Sequence, residues 1–167
     1  MVEQHQTTVN PQSKPVMLDH EATSKLSFMP AKVGRFASEE VFLSLFRAKC
    51  TPVLLYAVEA CPVSKRNKKS FDFNINRIFM KLFRTGSVAL VEDCQRFLNV
   101  LPVSYQVDVR TAKFLQKYKA TENRICSLFG HEADRQLRNL CTVYKLPSGS
   151  SASKIINQIR ENFFSNL

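Results

Sequence analysis

The sequence predicts an all-α protein, a helical bundle of about five to seven helices with a disordered N-terminal tail. Three observations predict it. Apolar residues recur at helical spacing from about residue 36 to the end. No alternating run is long enough to make a strand. The chain also holds only 4 Gly in 167 residues, fewer than a β-rich protein needs for its turns. That length suits one domain and buries roughly 70% of the unfolded surface. A 44% hydrophobic content with 13 Phe supplies the core.

Residues 1–24 are rich in Gln, Thr, Asn, Ser and Pro without periodicity and are predicted to stay outside the core. A helical region over residues 25–146 follows. Ser38 ahead of Glu39 and Glu40 reads as an N-cap with two acids at the positive end of a helix dipole. Phe42, Leu45, Phe46 and Cys50 continue that helix to Thr51-Pro52, itself a plausible N-cap and first helical residue. Residues 39–60 are thus either one kinked helix or two abutting ones. The second half, apolar nearly all round, is predicted to be buried on most sides.

After Cys61-Pro62, Phe71, Ile75, Ile78, Phe79 and Leu82 form a regular helical stripe that ends near Gly86, a candidate C′ residue. Ser87 opens a helix with Val88, Val91, Cys94 and Leu98 on one side. Ser104 opens another with Val107, Thr111, Phe114, Leu115 and Tyr118, after the break at Leu101-Pro102. Gly130 precedes a helix carrying Ala133, Leu137, Leu140, Cys141 and Tyr144. Residues 147–167 comprise a Pro-Ser-Gly-Ser-Ser linker and a last amphipathic helix with Ile155, Ile156, Ile159 and Phe163. Periodicity leaves open whether it packs on the others.

Several classes are excluded by composition. No apolar run reaches the ~20 residues of a membrane span, and the first residues lack a signal-peptide apolar region. Five cysteines, an odd number scattered through apolar stretches, suit reduced thiols in a core better than a disulfide framework. An intracellular protein, nuclear or cytoplasmic, is expected.

The net charge of +10 is local. Residues 61–119 hold 12 Lys+Arg against 4 Asp+Glu, whereas residues 1–60 are balanced. Such asymmetry favours an anionic partner. Lys65, Arg66, Lys68 and Lys69 precede the Phe71 stripe. Because cations at a helix N-terminus oppose its dipole, the helix is predicted to begin at Ser70 with Asp72 in its first turn, leaving the basic run as a loop. That loop reads either as phosphate contact or nuclear localisation signal, or as a solvated loop. Arg77, Lys81 and Arg84 lie opposite the apolar stripe at 100° per residue, with Phe73 beside them as a ring that could stack on a base or join the core. Arg110, Lys113 and Lys117 make a second stripe, away from Phe114 and Tyr118.

Catalytic constellations are missing. There is no Asp-Asp pair, no Cys-x-x-Cys and no glycine-rich phosphate loop around Gly34 or Gly86. His5 and His20 fall in the tail, and Cys126, His131 and Cys141 have poor zinc spacing. Neither an autonomous enzyme nor a cofactor is expected.

Lys32-Val33-Gly34-Arg35-Phe36-Ala37-Ser38-Glu39-Glu40-Val41, then Lys49-Cys50-Thr51-Pro52-Val53-Leu54-Leu55-Tyr56-Ala57-Val58-Glu59-Ala60-Cys61-Pro62, are followed by Asp72-Phe73, Asn76-Arg77 and Phe79-Met80-Lys81-Leu82-Phe83. Together these strings resemble the region downstream of the palm in non-LTR (LINE-type) retrotransposon reverse transcriptases, over roughly residues 25–140. The resemblance implies that residues 36–84 correspond to a helical thumb, which grips the primer and template backbone. It also implies that the catalytic aspartates, and the Mg they hold, belong to a palm absent here, so the chain reads as a truncated or fused copy of an RNA-directed DNA polymerase. Tyr56-Ala57 stands where the family has Tyr-Gly, a departure that favours a continuous helix. The expected partner is an RNA or DNA backbone. The alternatives are a helical fragment that pairs with itself or another protein through apolar surface the palm would have covered, or a product without function.

Overall fold

The computed structural model describes residues 38–61 and 63–165. The predicted tail over residues 1–24, His5, His20, Gly34, the Lys32–Ala37 string and Pro62 lie outside the described residues. Among the described residues all regular structure is helical.

Helix α1 (Glu39–Leu45) is capped as predicted, the Ser38 hydroxyl accepting the Val41 N–H at 3.4 Å. It continues through a π-helical segment (Phe46–Cys50) into the short α2 (Thr51–Leu54). Thr51 is no N-cap. Its φ and ψ of −60° and −46° are helical, and its hydroxyl donates back to the Phe46 carbonyl at 3.1 Å. Pro52 supplies the reason, because it lacks an N–H and its ring crowds the carbonyl one turn earlier, so the chain widens just ahead of it. Nor does a mostly buried helix reach Cys61. The helix stops at Leu54, Val53 and Tyr56 are 67% and 82% exposed, and Leu54, Leu55 and Val58 alone in this stretch are buried. Ala57 takes φ 57° in the turn that follows, so this alanine breaks the helix it was expected to continue.

Helix α3 (Lys65–Leu82) buries Phe71, Ile75, Ile78 and Phe79 of the predicted stripe and leaves Leu82 half-buried against the same cluster. Its left-handed terminal residue is Arg84, φ 50°, with the Thr85 N–H donating to the Met80 carbonyl at 3.0 Å, so Gly86 does not serve as C′. Helix α4 (Val88–Phe97) opens at Ser87, which accepts from the Leu90 N–H at 3.3 Å. Its inner face is turned from the predicted one, with Val91 and Gln95 buried and Val88 exposed. Helix α5 (Val103–Ala120) starts one residue before the predicted Ser104. The Ser104 N–H is taken by Asp72 Oδ1 of α3 at 3.0 Å, a cap supplied by a neighbouring helix.

Helices α6 (Arg124–Leu128), α7 (Gly130–Val143) and α8 (Ala152–Phe164) complete the chain. With α1, the π segment and α2 taken as one bent rod, the described residues form a seven-helix bundle. Helix α5 is its shared element and packs against α3, α7 and α8. Val103 and Val107 join a cluster with Phe46, Leu55, Ile75, Phe79 and Val91. Val109, Ala112 and Leu115 join a second with Cys141, Ile155 and Ile159. Since α8 buries Ile155, Ile159 and Phe163, the last helix is part of the core. Arg96 ties α4 to it, donating from Nε to the Phe163 carbonyl at 3.1 Å with its guanidinium 5.1 Å from the ring centroid. All five cysteines are thiols, Cys50 and Cys141 buried. No helix among the described residues is long and apolar enough to cross a membrane.

Candidate nucleic-acid interface

The basic run is helical, not a loop. Ser64 has extended φ and ψ, and its hydroxyl accepts the Asn67 N–H at 3.1 Å, which starts α3 at Lys65 instead of Ser70. Asp72 therefore lies beyond the first turn, engaged with Ser104. A local cap and one ion pair offset the unfavourable position of these cations at the helix start. Lys68 meets Asp108 of α5 through its Nζ, and Asp108 Oδ2 also accepts the Tyr144 hydroxyl at 2.7 Å. Asp108 is 7% exposed, so this buried carboxylate joins α3, α5 and α7. Burial, then the Asp108 charge, pushes the Tyr144 phenol well above its ordinary value. Lys68 faces inward and is a structural cation.

The new start merges two predicted features into one. At 100° per residue, Lys65, Arg66, Lys69, Phe73, Arg77 and Lys81 fall within about 160° of each other, opposite the buried stripe. Lys65, Arg66, Lys69, Arg77, Lys81 and Arg84 are all exposed, and none has an ion-pair partner among the described residues. The face runs the length of α3, about 27 Å at 1.5 Å per residue. Phe73 is 62% exposed and outside the core, with the Arg77 guanidinium 5.8 Å from its ring centroid. Such a pair offers a flat apolar surface amid cations.

The segment's acids do not neutralise this face. Asp72 and Asp108 are used between helices, and Glu92 and Asp93 pair with Arg96 at 3.8 and 2.7 Å.

The three cations of the second predicted stripe have different surroundings. Arg110 donates from Nη1 to the Leu55 carbonyl at 2.9 Å and lies 3.9 Å from Glu59, holding the turn after α2. Lys113 is exposed at the edge of a cleft that Arg110 also lines, and no α3 residue belongs to that cleft. Lys117 is exposed and outside it. The same cleft takes in Arg47 and Arg160, which sequence reasoning missed because they lie in segments with little net charge. Among the described residues no group of His, Cys, Asp and Glu is placed to hold a metal ion.

Comparison with family models, curated proteins and solved structures yields no match to this chain.

Proposed function

We propose that the outer face of α3 binds the phosphate backbone of RNA or DNA, within an intracellular protein derived from the post-palm region of a LINE-type reverse transcriptase and lacking polymerase activity of its own. The observation that carries the binding reading is the face of Lys65, Arg66, Lys69, Arg77 and Lys81, with Arg84 just past its end, free of pairing acids and with Phe73 set among them. Phosphates are the natural complement of such a surface, because each contact releases condensed counterions. The derivation is supported by Ala57, whose φ of 57° suits glycine, at the position where the resemblance expects one.

Fluorescence anisotropy with a labelled single-stranded RNA tests the binding. Log affinity is expected to fall linearly with log salt, by about 0.7 per phosphate contacted. The triple variant Lys69→Ala, Arg77→Ala, Lys81→Ala is expected to bind at least tenfold more weakly while melting like the parent. Salt-insensitive binding, or an unchanged affinity in the triple variant, refutes the proposal.

One observation favours a second reading, association with itself or another protein. Ile125, Leu128 and Phe129 are 66%, 71% and 56% exposed on and just after α6, a helix that buries none of its residues. Sedimentation over a range of concentrations decides it, a concentration-independent monomer counting against self-association.

A further inference from the structure

We propose that the cleft between the π-helical segment, α5 and α8 is a site for phosphate groups, separate from the α3 face. It stands whether or not that face binds nucleic acid. The cleft measures about 370 Å³, within the range of small-ligand sites. Four cations line it, Arg47, Arg110, Lys113 and Arg160, and no carboxylate does. They come from three separate elements and meet only because α8 packs against α5 and α5 carries two of them.

The four differ in a way that suits anion binding. Arg47 donates to the Leu98 carbonyl and Arg110 to the Leu55 carbonyl at 2.9 Å, so both guanidinium groups are held in place with donors left over, five N–H being available on each. Glu59, 3.9 Å from Arg110, is absent from the cleft lining. Lys113 and Arg160 are exposed and have no hydrogen-bond or ion-pair partner among the described residues. Two fixed forks and two long adjustable cations can surround the oxygens of a phosphate. Like charges brought together repel, and an anion between them removes that repulsion. Phe46 and Phe164 add apolar wall, which leaves room for an organic group attached to the phosphate.

Titration calorimetry of the full chain without divalent metal, using tripolyphosphate, ATP and adenosine as probes, tests the site. Tripolyphosphate and ATP are expected to bind saturably, and adenosine is not. The double variant Lys113→Ala, Arg160→Ala is expected to weaken both by about tenfold or more. Should it fail to melt cooperatively, the single Lys113→Gln takes its place with a smaller loss expected. Lys154→Ala, exposed on α8 and outside the cleft, is expected to change nothing. No saturable binding, equal binding of adenosine, or an equal loss in the Lys154→Ala variant overturns the proposal. Competition by a short RNA identifies the phosphate source. Displacement of ATP by RNA, lost in the cleft variant, supports the site with a polynucleotide as its ligand, and persistence of ATP supports it with a free phosphorylated molecule.

Discussion

Asp108 shows how one residue changes the meaning of its partners. It lies in an apolar stretch of α5 and accepts from Lys68 and from Tyr144, so two groups of unlike origin hold it in the core. Tyr144→Phe leaves Oδ2 without that donor and is expected to destabilise by about 1–2 kcal/mol in urea denaturation. The same contact gives a pH dependence. Burial and Asp108 raise the folded-state value of Tyr144 above that of the unfolded chain, so its contribution is fully present below about pH 10 and is lost as the unfolded tyrosine ionises above it. Alkaline destabilisation should therefore be shallower in Tyr144→Phe. Lys68→Met is expected to cost about 2 kcal/mol of stability while leaving RNA affinity nearly unchanged, the reverse of Lys69→Ala. The separation of Lys68 from its neighbours was legible once the helix start is known, since Lys68 lies one turn before Phe71 on the buried side. Without the start, the four cations look alike.

At the level of elements, helix beginnings were more legible than helix ends. Ser38 and Ser87 cap as expected because an N-cap needs only a hydroxyl and the chain that follows it. Ser64, not Ser70, caps α3, and Ser64→Ala is expected to lower stability by about 1 kcal/mol, read by chemical denaturation. The ends of α3, α4 and α7 share a different device. Arg84, Asn99 and Lys145 take φ of 50°, 54° and 56°, and the N–H after each reaches back to a carbonyl of the last turn. Two of these residues carry no sequence sign of a left-handed position, so the ends could not be read. Ala57 belongs with them. Ala57→Gly and Lys145→Gly are each expected to stabilise by roughly 0.5–1 kcal/mol, because glycine enters this conformation without a Cβ clash. A destabilised Ala57→Gly protein would show that the unfolded-state entropy of glycine outweighs the relief of strain.

Over the whole molecule, α5 connects the two hydrophobic clusters and α8 closes the second. A chain ending at Ser150 loses the buried Ile155, Ile159 and Phe163, worth about 5–9 kcal/mol together, on the scale of the total stability of a domain. Circular dichroism of that truncation is expected to show no cooperative melt at 25 °C or above. Full cooperativity in the truncated chain would mean that α8 is dispensable. The charge is organised at this scale too. Of the cations in residues 61–119, Lys68, Arg96, Arg110 and Lys119 are held by acids, and the exposed remainder divides between the face of α3 and positions on α5.

By itself the sequence determined the helical class, the Phe71, Ile75, Ile78 and Phe79 stripe, and the placing of a basic surface opposite it. These follow from short-range periodicity, which a helix converts directly into faces. Tertiary structure decided which cations remain available. Lys68 is turned to a carboxylate 40 positions away, Arg110 to a carbonyl 55 positions back, and Arg47 and Arg160 meet in one cleft across most of the chain. Such meetings depend on how rods pack through burial of their apolar sides, a force without direction along the sequence, and no local pattern encodes them.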